Sequence, residues 1–274
     1  MMLHCGQFKL DLTTPRVMGI LNVTPDSFSD GGNFSQADLA VEHALALVDE
    51  GADILDVGGE STRPNATQVS LQQELDRVIP VIEALAGKIN IPISIDTYKP
   101  DVMRAAIQAG ASLVNDVKAL QENGAVEVVA NSEAGVCLMH MQGTPQTMQE
   151  NPNYTDVVKE VSSFLLERVN VCKKAGIATE RIMIDPGFGF GKTREHNITL
   201  IQQLESFKAM KLPMLVGLSR KSVLGQITGD DVDARLYASV AAAVISVTKG
   251  ANIVRVHDVK ATVEALKVVS AIET

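Results

Sequence analysis

The sequence predicts a (β/α)8 barrel of the TIM class, with a short N-terminal hairpin or strand capping the barrel floor. Three observations carry the prediction. Eight short apolar runs recur along the chain, alternating with longer segments of helical spacing. The runs are continuously apolar, as strands buried on both faces of a parallel sheet are. Their ends are polar, at Asn22, Asp56, Asp96, Asn115, His140, Asp185 and Lys221, and at Arg255 with His257. An open doubly wound sheet shares this alternation and is the second reading. Either fold places catalytic groups at the carboxyl ends of its strands. One domain over residues 1–274 is expected.

The elements follow in order. Phe8 to Leu12 alternates apolar and polar and reads as a half-exposed strand. Val17 to Val23 is the first barrel run. The polar stretch Thr24 to Gly32 then reads either as a surface connection or as an active-site lid hinged at Gly31 and Gly32. Ala37 to Gly51 is helical. Ile54 to Val57, the second run, leads into the polar loop Gly58 to Pro64. Leu71 to Leu85 is a helix with Ser70 as N-cap, Gln73 placed for a capping box, and Pro80 as a possible kink. Ile91 to Ile95 and Ser112 to Val114 are the third and fourth runs, separated by a helix over Asp101 to Gly110. A helix within Gly124 to Asn131 precedes the fifth run, Val136 to Met139. After the loop Thr144 to Thr155, a long helix spans Val157 to Ala175 and stops at Gly176.

Ile182 to Ile184 is the sixth run. Asp185 stands at its end, and Pro186 and Gly187 stop the strand. Such an Asp alone is an ordinary turn former; its recurrence at other strand ends is what points to a site. The glycines that follow, with Lys192 and Thr193, superficially resemble a phosphate-binding loop. That motif needs a glycine where this chain has Pro186, so the spacing fails. Ile198 to Met210 reads as helix, Met214 to Leu218 as the seventh run, Asp233 to Lys249 as an alanine-rich helix, Ile253 and Val254 as the eighth run, and Ala261 to Ile272 as the last helix.

Composition narrows the function. The 274 residues are 46% hydrophobic, enough for a sizeable core, and the net charge of −9 gives no general attraction for nucleic acid or anionic membrane. Any phosphate chemistry must use a local basic cluster. Met1 to Lys9 predicts no secretory leader, and no apolar run approaches a membrane span. Three scattered cysteines (Cys5, Cys137 and Cys172) predict a reducing cytoplasm. No histidine pair has metal-ligand spacing.

The strand ends separate into two chemical zones. Asp96, Asn115 and Asp185 offer two carboxylates and an amide, which suit a planar heterocycle rich in N–H donors, such as a 2-amino-4-oxo pyrimidine ring. Lys221, Arg255, His257 and Asn22 make an anion site, which Arg63 can join. Asn22 offers a neutral oxygen to a Mg2+ that keeps most of its waters and bridges to phosphate. A ring carrying a diphosphate, displaced by an incoming nucleophile, is the simplest chemistry. No Cys-His or Ser-His pair stands out as a covalent catalyst.

Two long segments make the resemblance specific: Met-Gly-Ile-Leu-Asn-Val-Thr-Pro-Asp-Ser-Phe-Ser-Asp-Gly-Gly over Met18 to Gly32, and Asp-Val-Gly-Gly-Glu-Ser-Thr-Arg-Pro over Asp56 to Pro64. With Asp96-Thr97, Asn115 to Val117, Met139-His140, Asp185 to Gly191, Ser219 to Ser222 and Arg255 to His257, they resemble the motifs of the dihydropteroate synthase family over essentially the whole chain. The resemblance implies a (β/α)8 barrel transferase that condenses 6-hydroxymethyl-7,8-dihydropterin diphosphate with para-aminobenzoate. The products are 7,8-dihydropteroate and diphosphate, on the route to folate, and sulfonamides mimic the aminobenzoate. It implies that Asp96, Asn115, Asp185 and Lys221 hold the pterin, with Met139 and Gly217 lining its slot. Asn22 would bind Mg2+, and Arg255, His257 and Arg63 the diphosphate. Thr62 would serve both substrates. Pro64, Phe28, Phe190 and Ser222 would complete the aminobenzoate pocket, and Asp30 would help assemble the closed state. Catalytic roles fall on Asp96, Asp185, Lys221, Arg63 and Asp30, in a homodimer that binds small-molecule substrates.

Two positions depart from the family pattern. Asn65 stands where glycine commonly follows Thr-Arg-Pro, and Tyr98 replaces a smaller residue, its ring expected to line the pocket rim or cover a helix start. Methyltetrahydrofolate-binding domains that pass a methyl group to a corrinoid protein share the ring-binding residues. They have no use for the anion site or for the Ser-Phe-Ser-Asp-Gly-Gly and Ser-Thr-Arg-Pro loops present here.

Overall fold

The computed structural model describes residues 1–24, 36–61 and 68–273. Among these, a parallel eight-stranded sheet runs in the order β8-β7-β6-β5-β4-β3-β10-β9. Its strands are β3 (Arg16–Asn22), β4 (Ile54–Gly58), β5 (Ile93–Asp96), β6 (Leu113–Asp116), β7 (Gly135–Met139), β8 (Ile182–Asp185), β9 (Leu215–Val216) and β10 (Ile253–Val256). A parallel bridge between Ile184 and Met214 joins the two ends and closes the barrel. Around it lie α1 (Gln36–Asp49), α2 (Leu71–Ala86), α3 (Pro100–Ala109), α4 (Ala125–Ala130), α5 (Val157–Lys174), α6 (Arg194–Gln202), α7 (Ser222–Thr228), α8 (Leu236–Thr248) and α9 (Val259–Glu273). The predicted fold class is the one observed.

Side-chain alternation along each strand sorts the core into two compartments. Val17, Leu21, Leu55, Val57, Ile95, Val114, Leu138, Ile184 and Val254 face outward and join the helices in one large cluster. Met18, Ile54, Leu113, Cys137, Met183, Leu215 and Ile253 face inward and form a second cluster at the barrel floor. That floor is sealed by a hairpin of β1 (Met2–Cys5) and β2 (Phe8–Asp11), paired antiparallel with Leu3 opposite Leu10. Leu3, Cys5 and Leu12 are buried in the floor cluster. Further along the inward rows polar side chains appear, Asp56 on β4, Asp96 on β5, Asn115 on β6, Asp185 on β8 and Arg255 on β10, and there the site begins.

Several boundaries differ from expectation. Of the two forms expected for the N-terminal cap, hairpin or single strand, the structure has the hairpin, in which Phe8 to Asp11 pairs with β1, whose MLHC sequence shows no clear alternation. The helix expected over Ile198 to Met210 is α6 followed by a 3-10 turn at Leu204–Met210. Thr193 caps α6 in a capping box with His196, which moves the start forward. The expected helix over Asp233 to Lys249 begins at Leu236 in α8, and α7 was not anticipated at all. The seventh strand is short, only Leu215 and Val216. α2 begins with the anticipated Ser70–Gln73 capping box and runs through Pro80 without a break.

Candidate active site

Asp56, Asn115, Met139, Asp185, Gly217 and Arg255 occupy inward positions of the barrel above its floor cluster, because each is two residues beyond a floor residue on its strand, and Asp96, in register with Asn115, joins them. The register sets Asp96 beside Asn115 and Met139 beside Asp185. Arg255 reaches across the barrel: its Nε donates to Asp56 Oδ2 at 2.5 Å and its Nη2 to Asp96 Oδ2 at 2.8 Å. Asn115 Nδ2 donates to the same Asp56 oxygen at 3.1 Å. A carboxylate only accepts, so the Asn115 atom facing it is the amide nitrogen, and Asn115 Oδ1 remains an acceptor. Asp56 is fully buried and is the residue that sequence reasoning placed at a strand end without giving it a role. Its position as an interruption of an apolar run was the available signal.

Beyond β8 the chain turns sharply. Gly187 N donates to Asp185 Oδ1 at 2.7 Å. Gly187 has a φ of +70°, and a Cβ there would collide with the His140 carbonyl. Lys221, at the start of α7, donates from Nζ to Phe188 O and lies 4.4 Å from the centroid of the Phe190 ring. Ser219 Oγ meets His257 Nδ1 at 3.0 Å and accepts from the His257 backbone N–H at 3.1 Å, which links the loops after β9 and β10. Met139, Val117 and Tyr98 form an apolar wall against which Phe190 packs. Tyr98 thus belongs to this wall, and its hydroxyl also bonds Glu60 and Gln68, both at 3.3 Å, on either side of residues 62–67.

Charge is concentrated in little solvent. Burial pushes the Asp96 carboxyl up to about 7; Arg255 opposes this and Asp56 adds to it. Asp185 is also raised by burial, held back by Lys221 and the Gly187 N–H. Burial lowers Lys221 to about 8, with Asp185 working in the other direction. Burial disfavours the Arg255 cation too, but Asp56 and Asp96 more than offset it and its pKa rises. Among the described residues, Asp96 Oδ1 and Asp56 Oδ1 are buried acceptors without a hydrogen-bond partner. The arrangement suits a flat ligand that brings several N–H groups and sits beside cationic side chains.

Of the residues singled out in the sequence, Asp96, Asn115, Asp185, Arg255, Met139 and Gly217 come together on the inward rows. Asn22 ends β3, and Lys221, Phe190, Ser222 and His257 stand on the loops and helix start above. Phe28, Asp30, Thr62, Arg63, Pro64 and Asn65 lie outside the described residues. His140 does not converge with the others. It follows Met139, so alternation turns it outward, where it is buried against Tyr154, Phe164 and Lys192.

A parallel barrel with carboxylates, an amide and paired cations at the carboxyl ends of its strands defines the class of (β/α)8 barrel enzymes. Residues 18–257 match the model of the pterin binding enzyme family, and the chain belongs to that family. Within it, the chain is 53% identical to dihydropteroate synthase of Escherichia coli (strain K12), across 96% of this chain and 93% of that one. The structure of Xanthomonas albilineans dihydropteroate synthase with 4-aminobenzoic acid superposes with a TM-score of 0.95 at 50% identity, covering 100% of this chain and 98% of that one. The same organism's enzyme in complex with 7,8-dihydropteroate gives a TM-score of 0.92 at 47% identity, covering 100% and 99%.

Proposed function

We propose that this chain is a dihydropteroate synthase, joining 6-hydroxymethyl-7,8-dihydropterin diphosphate to para-aminobenzoate with release of diphosphate. The observation that carries this reading is the grouping of Asp96, Asn115 and Asp185 on the inward rows of β5, β6 and β8, with Met139 of β7 between the last two and Arg255 and Lys221 beside them. The amino-oxo edge and ring N–H groups of a dihydropterin complement those acceptors, and Lys221 adds a donor for ring oxygen or nitrogen. Met139 and the bare Gly217 leave a flat slot. Arg255 and His257, with Arg63 and Thr62, hold the diphosphate. Phe190 and Ser222, with Phe28, Thr62 and Pro64, receive the aminobenzoate, and Asp30 helps close the site over it.

The chemistry follows from these positions. The bond between the pterin methylene carbon and the diphosphate oxygen breaks, its electron pair leaving with diphosphate. Positive charge spreads into the electron-rich ring, where Asp96 and Asp185 stabilise it in a site of low dielectric. The neutral arylamine then attacks the methylene carbon and loses a proton. It needs no strong base, and none of the described groups has to act as one.

The donor set also fits Mg2+. Asn22 Oδ1 is a neutral oxygen, and a Cβ on Gly58 would sit 4.0 Å from it and 3.8 Å from Asp96 Oδ2, so the bare glycine provides a cradle between them. An ion held by a single neutral side-chain oxygen would keep most of its waters. Asn22 would hold it, and when bound it neutralises diphosphate charge and improves the leaving group. The exposed Ile227, Tyr237, Ile245, Val268 and Ile272 on α7, α8 and α9 support a homodimer through those helices. Cys5, Cys137 and Cys172 are buried and unpaired, which supports a cytoplasmic enzyme. No described helix is long and apolar enough to cross a membrane.

The test is product formation from the two substrates with Mg2+. Wild-type turnover is expected. Tight binding of methyltetrahydrofolate without turnover would replace this reading with the methyl-transfer one.

A further inference from the structure

Lys192 is buried to 2% exposure, yet among the described residues no carboxylate pairs with its ammonium. Its Nζ instead donates to Gly187 O at 2.8 Å and Phe190 O at 3.0 Å and meets His140 Nδ1 at 2.9 Å, with His140 O at 3.4 Å. Three short contacts match the three hydrogens of an ammonium, the form that burial disfavours and the charge of Asp185 favours. A methionine of similar length would fill the same space without desolvating a charge, so packing alone does not account for this side chain.

The partners of Lys192 have a pattern. Gly187 and Phe190 are the two ends of the turn after β8, and His140 follows β7. Lys192 therefore fastens two neighbouring barrel loops at one point. The glycines confirm how close these loops run: a Cβ on Gly187 would strike His140 O, and one on Gly191 would strike Gln142 O. The opposite side of the same turn belongs to the mouth. There the Gly187 N–H holds Asp185, the Phe188 carbonyl accepts from Lys221, and the Phe190 ring faces Lys221.

We infer that Lys192, with His140 as its acceptor, is a positioning residue for the reaction: it fixes the Gly187–Phe190 turn and thereby the placement of the Phe190 ring. The inference rests on the function proposed above and deepens it. His140 suits the part, since its edge-on contact with Phe164 and tilted contact with Tyr154 hold the imidazole in place. Burial, followed by the neighbouring Lys192, lowers the His140 pKa to about 3, so the ring stays neutral.

Three variants test this in the turnover assay, with para-aminobenzoate varied: Lys192→Met, His140→Leu and His140→Asn. The amide oxygen of asparagine falls near the imidazole Nδ1 position and can still accept. Loss of a buried hydrogen bond predicts a rise of about tenfold in KM for para-aminobenzoate in Lys192→Met and His140→Leu, with kcat within about threefold of wild type. His140→Asn is expected to stay within about threefold in both constants. A purely structural lysine would lower the melting temperature without splitting KM from kcat. KM within about twofold of wild type in a folded Lys192→Met overturns the inference. If Lys192→Met does not fold, equal KM values for His140→Leu and His140→Asn overturn it. Wild-type turnover in the same assay separates the two readings: its absence defeats the proposed function, whereas turnover with unmoved KM values defeats only the role of Lys192.

Discussion

Arg255 and Asp56 meet at 2.5 Å in the middle of the barrel, and the same Asp56 oxygen also receives the Asn115 amide. One carboxylate from β4 thus aims two groups, on β10 and β6, that face the ligand. Asp56→Ala leaves Arg255 with Asp96 as its remaining carboxylate partner among those described and frees the Asn115 amide to rotate. Breaking a buried pair from one side costs about 3–5 kcal/mol of stability. Urea unfolding measures this, and a loss below about 1 kcal/mol would show the pair to be dispensable.

Asp185 should contribute mainly through charge. Asp185→Asn keeps the shape and an acceptor for the Gly187 N–H but removes the anion opposite the developing ring cation. A fall in kcat/KM of about a hundredfold or more is expected, equivalent to roughly 3 kcal/mol of transition-state stabilisation. Steady-state kinetics on the purified variant decides it. Unchanged turnover would keep the enzyme and discard this account of its grip on the ring.

The pH dependence of kcat/KM should be a narrow bell. Asp96 titrates near 7 and acts as an anion, so activity falls as pH drops through that value. Lys221 titrates near 8 and acts as a cation, so activity falls as pH rises through that value. Replacing Lys221 with arginine, which stays protonated, should remove the alkaline limb if activity survives. A wild-type profile flat from about pH 6 to 9 would contradict both assignments.

Gly187→Ala tests the loop geometry. The left-handed φ disfavours any side chain, and the added methyl meets backbone that cannot swing aside. A loss of about 2 kcal/mol or more is expected, read as a lower melting temperature. A melting temperature equal to that of wild type would mean the turn can relocate.

The barrel was legible because parallel strands leave continuous apolar runs, and most of the site was legible because each run breaks at a polar residue. What the runs concealed was side-chain direction. Met139 and His140 are adjacent, yet only one can face inward, and a run apolar on both faces gives no parity to choose between them. The floor residues supply that parity, but they are identified only once the strands are in register. Lys192 was hidden differently: beside a string of glycines it looks like a phosphate ligand, whereas its partners are carbonyls and the His140 ring, brought near by the fold. α7 was too short and too weakly patterned to announce itself. Asp56 was visible as a break in its run, but its pairing with Arg255 spans nearly the whole chain and no local spacing encodes it.

The hairpin beneath the barrel makes the interior a blind well. Leu3, Cys5 and Leu12 stop the lower end, so traffic passes through the mouth alone. The ring-binding groups are set deep, on the strands, while Phe190, Lys221 and Ser222 stand above them. In a well, the deeper occupant enters first and leaves last. On the function proposed above, the pterin would have to be seated before the arylamine arrives above it, and an arylamine that settled early would block the way down.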